Sequence, residues 1–511
     1  MQHARIRTWV AAALALGLAA AHMGSPAAAQ DLKAFEKKVT TFTLDNGLAF
    51  VVVEDHSAPV ISFHTYANVG SVDEIKGITG MAHMFEHMAF KGTTTIGTTD
   101  PEAERACMDE VDAIYDELRY ETAKGSRADP DRIAQLETEF RKADEACREF
   151  IVPAEYDKIL TGNGGTGLNA TTWFDWTRYL VNLPSNKLEL WMSLESERWL
   201  DPVLREFYQE KDVVTEERRM RTDNQPFGKL LEEVVATSFK AHPYGEPTIG
   251  HMSDIHSYTR EEARQWFMDY YGPDNLTVAL VGDVDPAEAE HLAGIYFGRL
   301  ERRGSPPLVE TVEPPQLGER RVTIEDPAQP LVAIAYHKTD GYHPDNVVFQ
   351  AIDEILGAGR TSRLHTRLVK EEKIAVATGI VNGFFGERFP EILLVYAVPA
   401  QGHTAAECEA AILDEIEKLK TEPVASEELE KAKRRSRAAL VRRLEDRADL
   451  AWEVAADQAL YGDWRRVFTD LEDLQGVTLE DIQRVSKEYF GANNRTVGSL
   501  VTTQADTQPE S

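Results

Sequence analysis

The chain contains two copies of one segment. Residues 259–281 read TREEARQWFMDYYGPDNLTVALV and residues 478–500 read TLEDIQRVSKEYFGANNRTVGSL, 219 positions later. Tyr271 falls on Phe490, Gly272 on Gly491, Asn275 on Asn494, and Thr277-Val278 on Thr496-Val497. Each copy reads as a capped helix, a Gly/Asn turn and a β-rich strand. The starts of the copies match more weakly. Ala58-Pro59-Val60 with its strand resembles Gln329-Pro330-Leu331 with its strand, 271 positions apart. The two offsets differ by 52, so the first copy carries roughly that many extra residues. A repeat of this size restricts the fold to one module used twice. Strands expected at 50–54, 61–67, 331–336 and 392–397, with helices at 188–200 and 405–420, make that module α+β: an antiparallel-rich sheet with helices packed on it.

The expected organisation follows. Residues 1–29 read as a secretory signal: Arg5 and Arg7, an apolar run at 9–21 too short to span a bilayer, then Ala27-Ala28-Ala29 with cleavage after Ala29. This predicts a periplasmic or secreted protein. Outside it there is no run of 18 apolar residues, so no membrane anchor is expected after signal cleavage. Residues 30–301 form the first module and 320–503 the second, with a tail at 504–511. Residues 302–319, with four Pro and two Gly, have the composition of a linker. Across the 511 residues, 86 acidic side chains against 55 basic give a formal charge of −31, which excludes a nucleic-acid binder.

The extra residues lie at about 101–155. Met108, Val111, Ile114, Tyr115 and Leu118 recur at helical spacing, as do Ile133, Leu136, Phe140, Ala143 and Cys147, around a turn at 124–130. This predicts an antiparallel helical hairpin inserted in the first module. Cys107 and Cys147 each lie 20 residues from Arg127, which sets them opposite one another as a disulfide candidate.

The sharpest chemical feature is His83-Met84-Phe85-Glu86-His87 in an apolar, helix-prone stretch. At about 100° per residue the three polar side chains share an arc of about 100° on one face. Two imidazoles one turn apart can bind one zinc ion, and the carboxylate beside them can act as a base. The H-x-x-E-H order is that of the inverted zinc-peptidase motif. His and Glu in an apolar frame are costly to bury unless they bind something.

The whole stretch GMAHMFEHMAFKGT closely resembles the motif of the M16 peptidase family, which includes pitrilysin, insulin-degrading enzyme and mitochondrial processing peptidase. Leu168-Asn169-Ala170-Thr171-Thr172 with Asp175-Trp176-Thr177-Arg178-Tyr179 is similar to the family's active-site strand. His242-Pro243-Tyr244-Gly245 followed by Ile249-Gly250 is similar to a further signature. The resemblance covers nearly the whole chain outside the signal. It implies two modules forming half of a clamshell, one Zn2+ per chain, peptide substrates, and a homodimer or a heterodimer with a homologous subunit. It implies that His83, His87 and Glu217 are the metal ligands, that Glu86 is the catalytic base, and that Glu210 orients a ligand histidine. Asn169 and Ala170 are then substrate-binding residues on an edge strand.

The second copy departs from that pattern. At the 271 offset the motif residues fall on Glu354, Gly357 and Ala358, so no second metal site is expected. Val369 and Val376 stand where many members of the family carry an Arg and a Tyr. The function expected is a secreted zinc endopeptidase acting on peptides or unfolded segments. The competing reading is a non-catalytic scaffold or assembly subunit of such a complex.

Overall fold

The computed structural model describes residues 35–503; the expected signal at 1–29 and the tail at 504–511 lie outside them. The first sheet contains β1 (Val39–Thr43), β2 (Ala49–Glu54), β3 (Val60–Ala67), β4 (Thr166–Thr172), β5 (Thr177–Pro184) and β6 (Leu276–Gly282), in the order β1-β2-β6-β3-β5-β4. The second contains β7 (Arg320–Asp326), β8 (Leu331–His337), β9 (Ala375–Val381), β10 (Ile392–Pro399) and β11 (Arg495–Thr502), in the order β7-β11-β8-β10-β9. β2 pairs with β6 in parallel, and so does β7 with β11; every other pair in both sheets is antiparallel. The second sheet is therefore the first one without β1. The mixed α/β architecture is the two-module one that the repeat predicts.

The repeated residues do the same work in both copies. Helices Arg260–Tyr270 and Leu479–Tyr489 each open on a capping box, Thr259 with Glu262 and Thr478 with Asp481. The Asn275 amide donates to the carbonyls of Asn68 and Tyr270 at 3.2 and 2.8 Å. The Asn494 amide donates to those of His337 and Tyr489, both at 2.8 Å. An Asn here ties the end of a helix to the strand beside it.

The central strands are apolar on both faces and so need covering on both. One face of each sheet is covered by its own module. The other face is covered reciprocally. Helix Pro226–Ser238, from the first copy, lies on the second sheet and buries Leu230 and Val234 against Leu331, Ala333 and Leu500. Helix Arg447–Tyr461, from the second copy, lies on the first sheet and buries Leu450, Ala451 and Val454 against Val51, Val53 and Val281. Gly498 makes room for this: a Cβ there would stand 2.1 Å from the Val234 side chain. The two modules of the sequence reading thus exchange a helix, which the repeat does not reveal, because an amphipathic helix has the same pattern whichever sheet it covers.

The insertion is a helical hairpin, Pro101–Thr122 and Pro130–Cys147, with arms on the order of 30 Å long. Cys107 and Cys147 are joined near its base, with Cα atoms 5.7 Å apart, and Cys408 is a buried free thiol. No described helix is long and apolar enough to cross a membrane.

Candidate metal centre

The H-x-x-E-H residues lie on helix Met81–Met88, the motif helix. Met81, Ala82, Met84, Phe85 and Met88 are buried in the core of the first module. Its start is tightly held. The Glu74 carboxylate accepts from the backbone N–H of Gly80 and Ala82 at 2.7 and 2.8 Å. Asp254 accepts from the N–H and hydroxyl of Thr79 at 3.2 and 2.8 Å. Gly80 (φ +89°) and Gly250 (φ +84°) are in backbone contact: a Cβ on Gly250 would meet the Thr79 carbonyl at 2.2 Å. That close approach accounts for a glycine at both positions.

The acidic helix Phe207–Arg218 crosses the motif helix and presents Glu217 to both histidines. His83 Nε2 lies 3.6 Å from Glu217 Oε1 and His87 Nε2 lies 3.5 Å from Glu217 Oε2. Among the described residues this trio alone brings three potential ligand atoms within 4.8 Å of one another. Two ligands about 2.1 Å from one zinc ion at the tetrahedral angle lie about 3.4 Å apart, so these separations fit a shared ion. Two imidazoles and one carboxylate are also a donor set that zinc takes.

Around that trio, His87 Nδ1 is 3.1 Å from Glu210 Oε2, an arrangement that leaves Nε2 free to face Glu217. The Lys91 ammonium bonds to Glu210 as well, and to Glu206 at 3.0 Å. His83 Nδ1 is buried without a hydrogen-bond partner. Burial pushes the His83 pKa down to about 4. Burial also opposes charge on His87, but the bonds to Glu210 and Glu217 outweigh it and hold that imidazole up at about 9. Burial pushes the Glu86 carboxyl above the ordinary carboxylate range, against the pull of Thr172 and His87.

Glu86 shares a recess of about 870 Å³ with the trio, and Asn169 and Ala170 line the same recess. Both belong to β4, the outermost strand of its sheet, whose partner β5 occupies only one side. Glu216 also lines the recess, but its side chain is 62% exposed and pairs with Arg219 and not with the histidines.

Other elements fix these parts. Tyr244, from the His-Pro-Tyr-Gly signature, donates its hydroxyl to Asp175 at 2.5 Å. The other Asp175 oxygen accepts from the backbone of Glu387 and Arg388 at 2.8 and 2.9 Å. The Arg388 guanidinium then grips Asp73 through two bonds of 2.9 Å. A loop of the second module is thereby pinned beside β4, and burial lifts the Asp175 pKa to about 6.

The hairpin braces the acidic helix from the other side. Tyr208 donates to Asp112 at 2.8 Å, and Gln209 to Asp144 at 3.1 Å. The Lys211 ammonium bonds to the Tyr115 hydroxyl and to the Tyr258 carbonyl, the latter at 2.9 Å. With no carboxylate bonded to it, burial drives the Lys211 pKa down to about 7. Sequence reasoning missed Lys91, Lys211 and Asp175. Only Lys91 left a local signal, four residues after His87, although the helix itself ends at Met88. Arg435 of the second module pairs with Glu354 at 3.3 Å. Val376 lies on β9 and is 56% exposed.

The chain is similar to known proteins over most of its length. Residues 49–104 match the family description Insulinase (Peptidase family M16), and residues 257–436 match Peptidase M16 inactive domain. The chain is 28% identical over 487 residues to the zinc protease PqqE of Helicobacter pylori, covering 93% of this chain and 95% of that one. A crystal structure of a protease from Helicobacter pylori superposes with a TM-score of 0.76 at 28% identity, over 91% of this chain and 99% of that one. The first half of the periplasmic protease PqqL from Escherichia coli shares the fold at 17% identity, with a TM-score of 0.67 over 91% of this chain and 92% of that one. The likeness runs the length of both modules and includes the stretch that carries His83, Glu86 and His87, so the chain belongs to the M16 peptidase family.

Proposed function

We propose that this chain is a secreted zinc-dependent endopeptidase that hydrolyses peptides or unfolded segments. The observation that carries this reading is the convergence of His83 Nε2, His87 Nε2 and Glu217, with Glu86 beside them in an open recess. Zinc held by those three side chains would polarise a scissile carbonyl and make water acidic enough to attack it. Glu86 takes the proton from the attacking water at its carboxylate and passes it to the leaving amine. Glu210 keeps His87 in the tautomer that offers Nε2, and Lys91 balances the charge on Glu210. Asn169 and Ala170 hold the substrate as an added strand on the free edge of β4.

The leader at 1–29 would direct the chain to the periplasm or beyond. A second copy or a homologous subunit would complete the enclosure and, in a heterodimer, supply the Arg and Tyr that Val369 and Val376 replace. The scaffold reading is the weaker one, because all four residues that the chemistry needs are present and mutually placed.

The test is Glu86→Gln with zinc content measured in parallel. Hydrolysis of a quenched peptide library should disappear while one zinc per chain remains bound. A variant that cuts as fast as the wild type would overturn the mechanism.

A further inference from the structure

A cavity of about 660 Å³ lies between the modules, away from the metal ligands. Its walls come from both halves: Tyr66 of β3, the β4–β5 turn, the loop between β9 and β10, and helices Ser426–Glu445, Arg447–Tyr461 and Arg466–Gly476. Four carboxylates line it, those of Glu387, Glu453, Asp457 and Asp470. Two have a cationic partner: Arg443 lies 3.1 Å from Glu453 and Arg466 lies 2.7 Å from Asp470. The other two are satisfied only by neutral donors. Glu387 accepts from the Tyr461 hydroxyl, and Asp457 accepts from the Val467 backbone N–H at 2.7 Å. The wall therefore carries more carboxyl groups than cationic partners.

A second feature is independent of those carboxyl groups. Tyr66 lines the cavity, is 1% exposed, and its hydroxyl has no hydrogen-bond partner in the protein. The Asn382 side-chain oxygen on the opposite loop is likewise buried and unpaired. Leaving such groups unbonded is costly unless something else satisfies them. Trp173, Trp176 and Trp452 supply aromatic surface to the same space.

We infer that this cavity binds an organic cation, an amine or guanidinium carried on an alkyl chain. Excess carboxylate supplies the charge, indole faces favour a cation over a neutral body, and the volume lies within the range of small-molecule sites. A bare metal ion fits poorly, since no three of these carboxylates converge as His83, His87 and Glu217 do. Burial and mutual repulsion hold Glu453, Asp457 and Asp470 above the ordinary carboxylate range, so an entering cation supplies the missing counter-charge and draws their protons off. The alkyl cation could be a free diamine or the basic side chain of a peptide, and the test separates the two.

The experiment is calorimetric titration of the full-length protein with agmatine, with an arginine-containing tetrapeptide amide, and with N-acetylglutamate as the anionic control. Saturable 1:1 binding of agmatine or of the peptide, without binding of the anion, is the expected result. Agmatine binding assigns a free cation; peptide binding alone assigns a side chain. Glu387→Gln with Asp457→Asn should weaken binding about tenfold or more, and Tyr66→Phe by a few-fold, through loss of charge and of one hydrogen bond. Both changes keep side-chain shape, and thermal unfolding of each variant checks the fold. No saturable heat with either cation, or undiminished binding in both variants, overturns the inference. The readout is binding, so it stands whether or not the peptidase reading holds.

Discussion

The two sheets share one strand order, and the helices crossing beside them differ in what they use to meet. In the first module the motif and acidic helices face each other through His83, His87 and Glu217, at 3.5 and 3.6 Å. In the second, helix Asn346–Leu356, which follows β8, meets helix Ser426–Glu445 through Glu354 and Arg435 at 3.3 Å. That contact is an ion pair in which the Glu354 oxygen makes no hydrogen bond. The first crossing has a hydrogen bond, His87 Nδ1 to Glu210 at 3.1 Å, while burial discharges His83 and leaves its Nδ1 unpaired. The scaffold evidently accepts either crossing. The buried, unpaired His83 Nδ1 is a local departure from full hydrogen bonding, and such departures are where function is expected.

The largest effect should separate these crossings directly. Glu217→Ala should abolish zinc retention and lower peptide hydrolysis by at least about a thousandfold, because a ligand and the geometry it fixes are both lost. Glu354→Ala should leave both unchanged; metal analysis and initial rates on the two purified variants decide it. If both variants retain zinc, the first crossing is not the metal centre.

Next in size are the exchanged helices. Leu230→Ala and Val454→Ala, both fully buried, should each destabilise the protein by about 2–4 kcal/mol in urea unfolding. The transition should remain single in both. Two separate transitions would show that the sheets unfold independently despite the exchange.

Within the first crossing, Glu210→Gln should weaken zinc binding by about 10–100-fold while the protein stays folded, as measured by chelator competition. The smallest effect concerns pH. Burial raises the Asp470 carboxyl from 3.8 to about 7, so the folded protein binds that proton more tightly than the unfolded chain does. Its cost is absent below about pH 4, grows as pH rises toward 7 and then levels off. Asp470→Asn should therefore raise stability more at pH 8 than at pH 4.5, in thermal melts at the two pH values.

Much of this was legible in the residues. The repeat fixed the shared strand order, since Gly272, Asn275 and their counterparts make the same turn twice. His83, Glu86 and His87 could be placed together because helical spacing alone sets their face. Glu217 could not be singled out so. Glu210 and Glu217 share a helical face, but only the family resemblance selected the ligand from a helix rich in acids. The long-range parts were silent. Nothing near Asp175 announces that it will hold a loop more than 200 residues away. Nothing in 226–238 tells which sheet its apolar stripe will cover. Local pattern reports burial and periodicity, whereas partners are chosen by the assembled surface.

The helix exchange has a consequence for taking the molecule apart. The linker at 302–319 has no regular structure and exposes Leu308 at 80% and Val312 at 82%, so it is the natural place for a protease to nick. A nicked chain would nonetheless stay assembled, each fragment clasped by a helix belonging to the other. Separated by denaturant, the fragments would each have a bare apolar sheet face and would aggregate. Mixed during refolding, they would restore each other by complementation. A chain that looks like two domains in sequence therefore behaves as one indivisible unit.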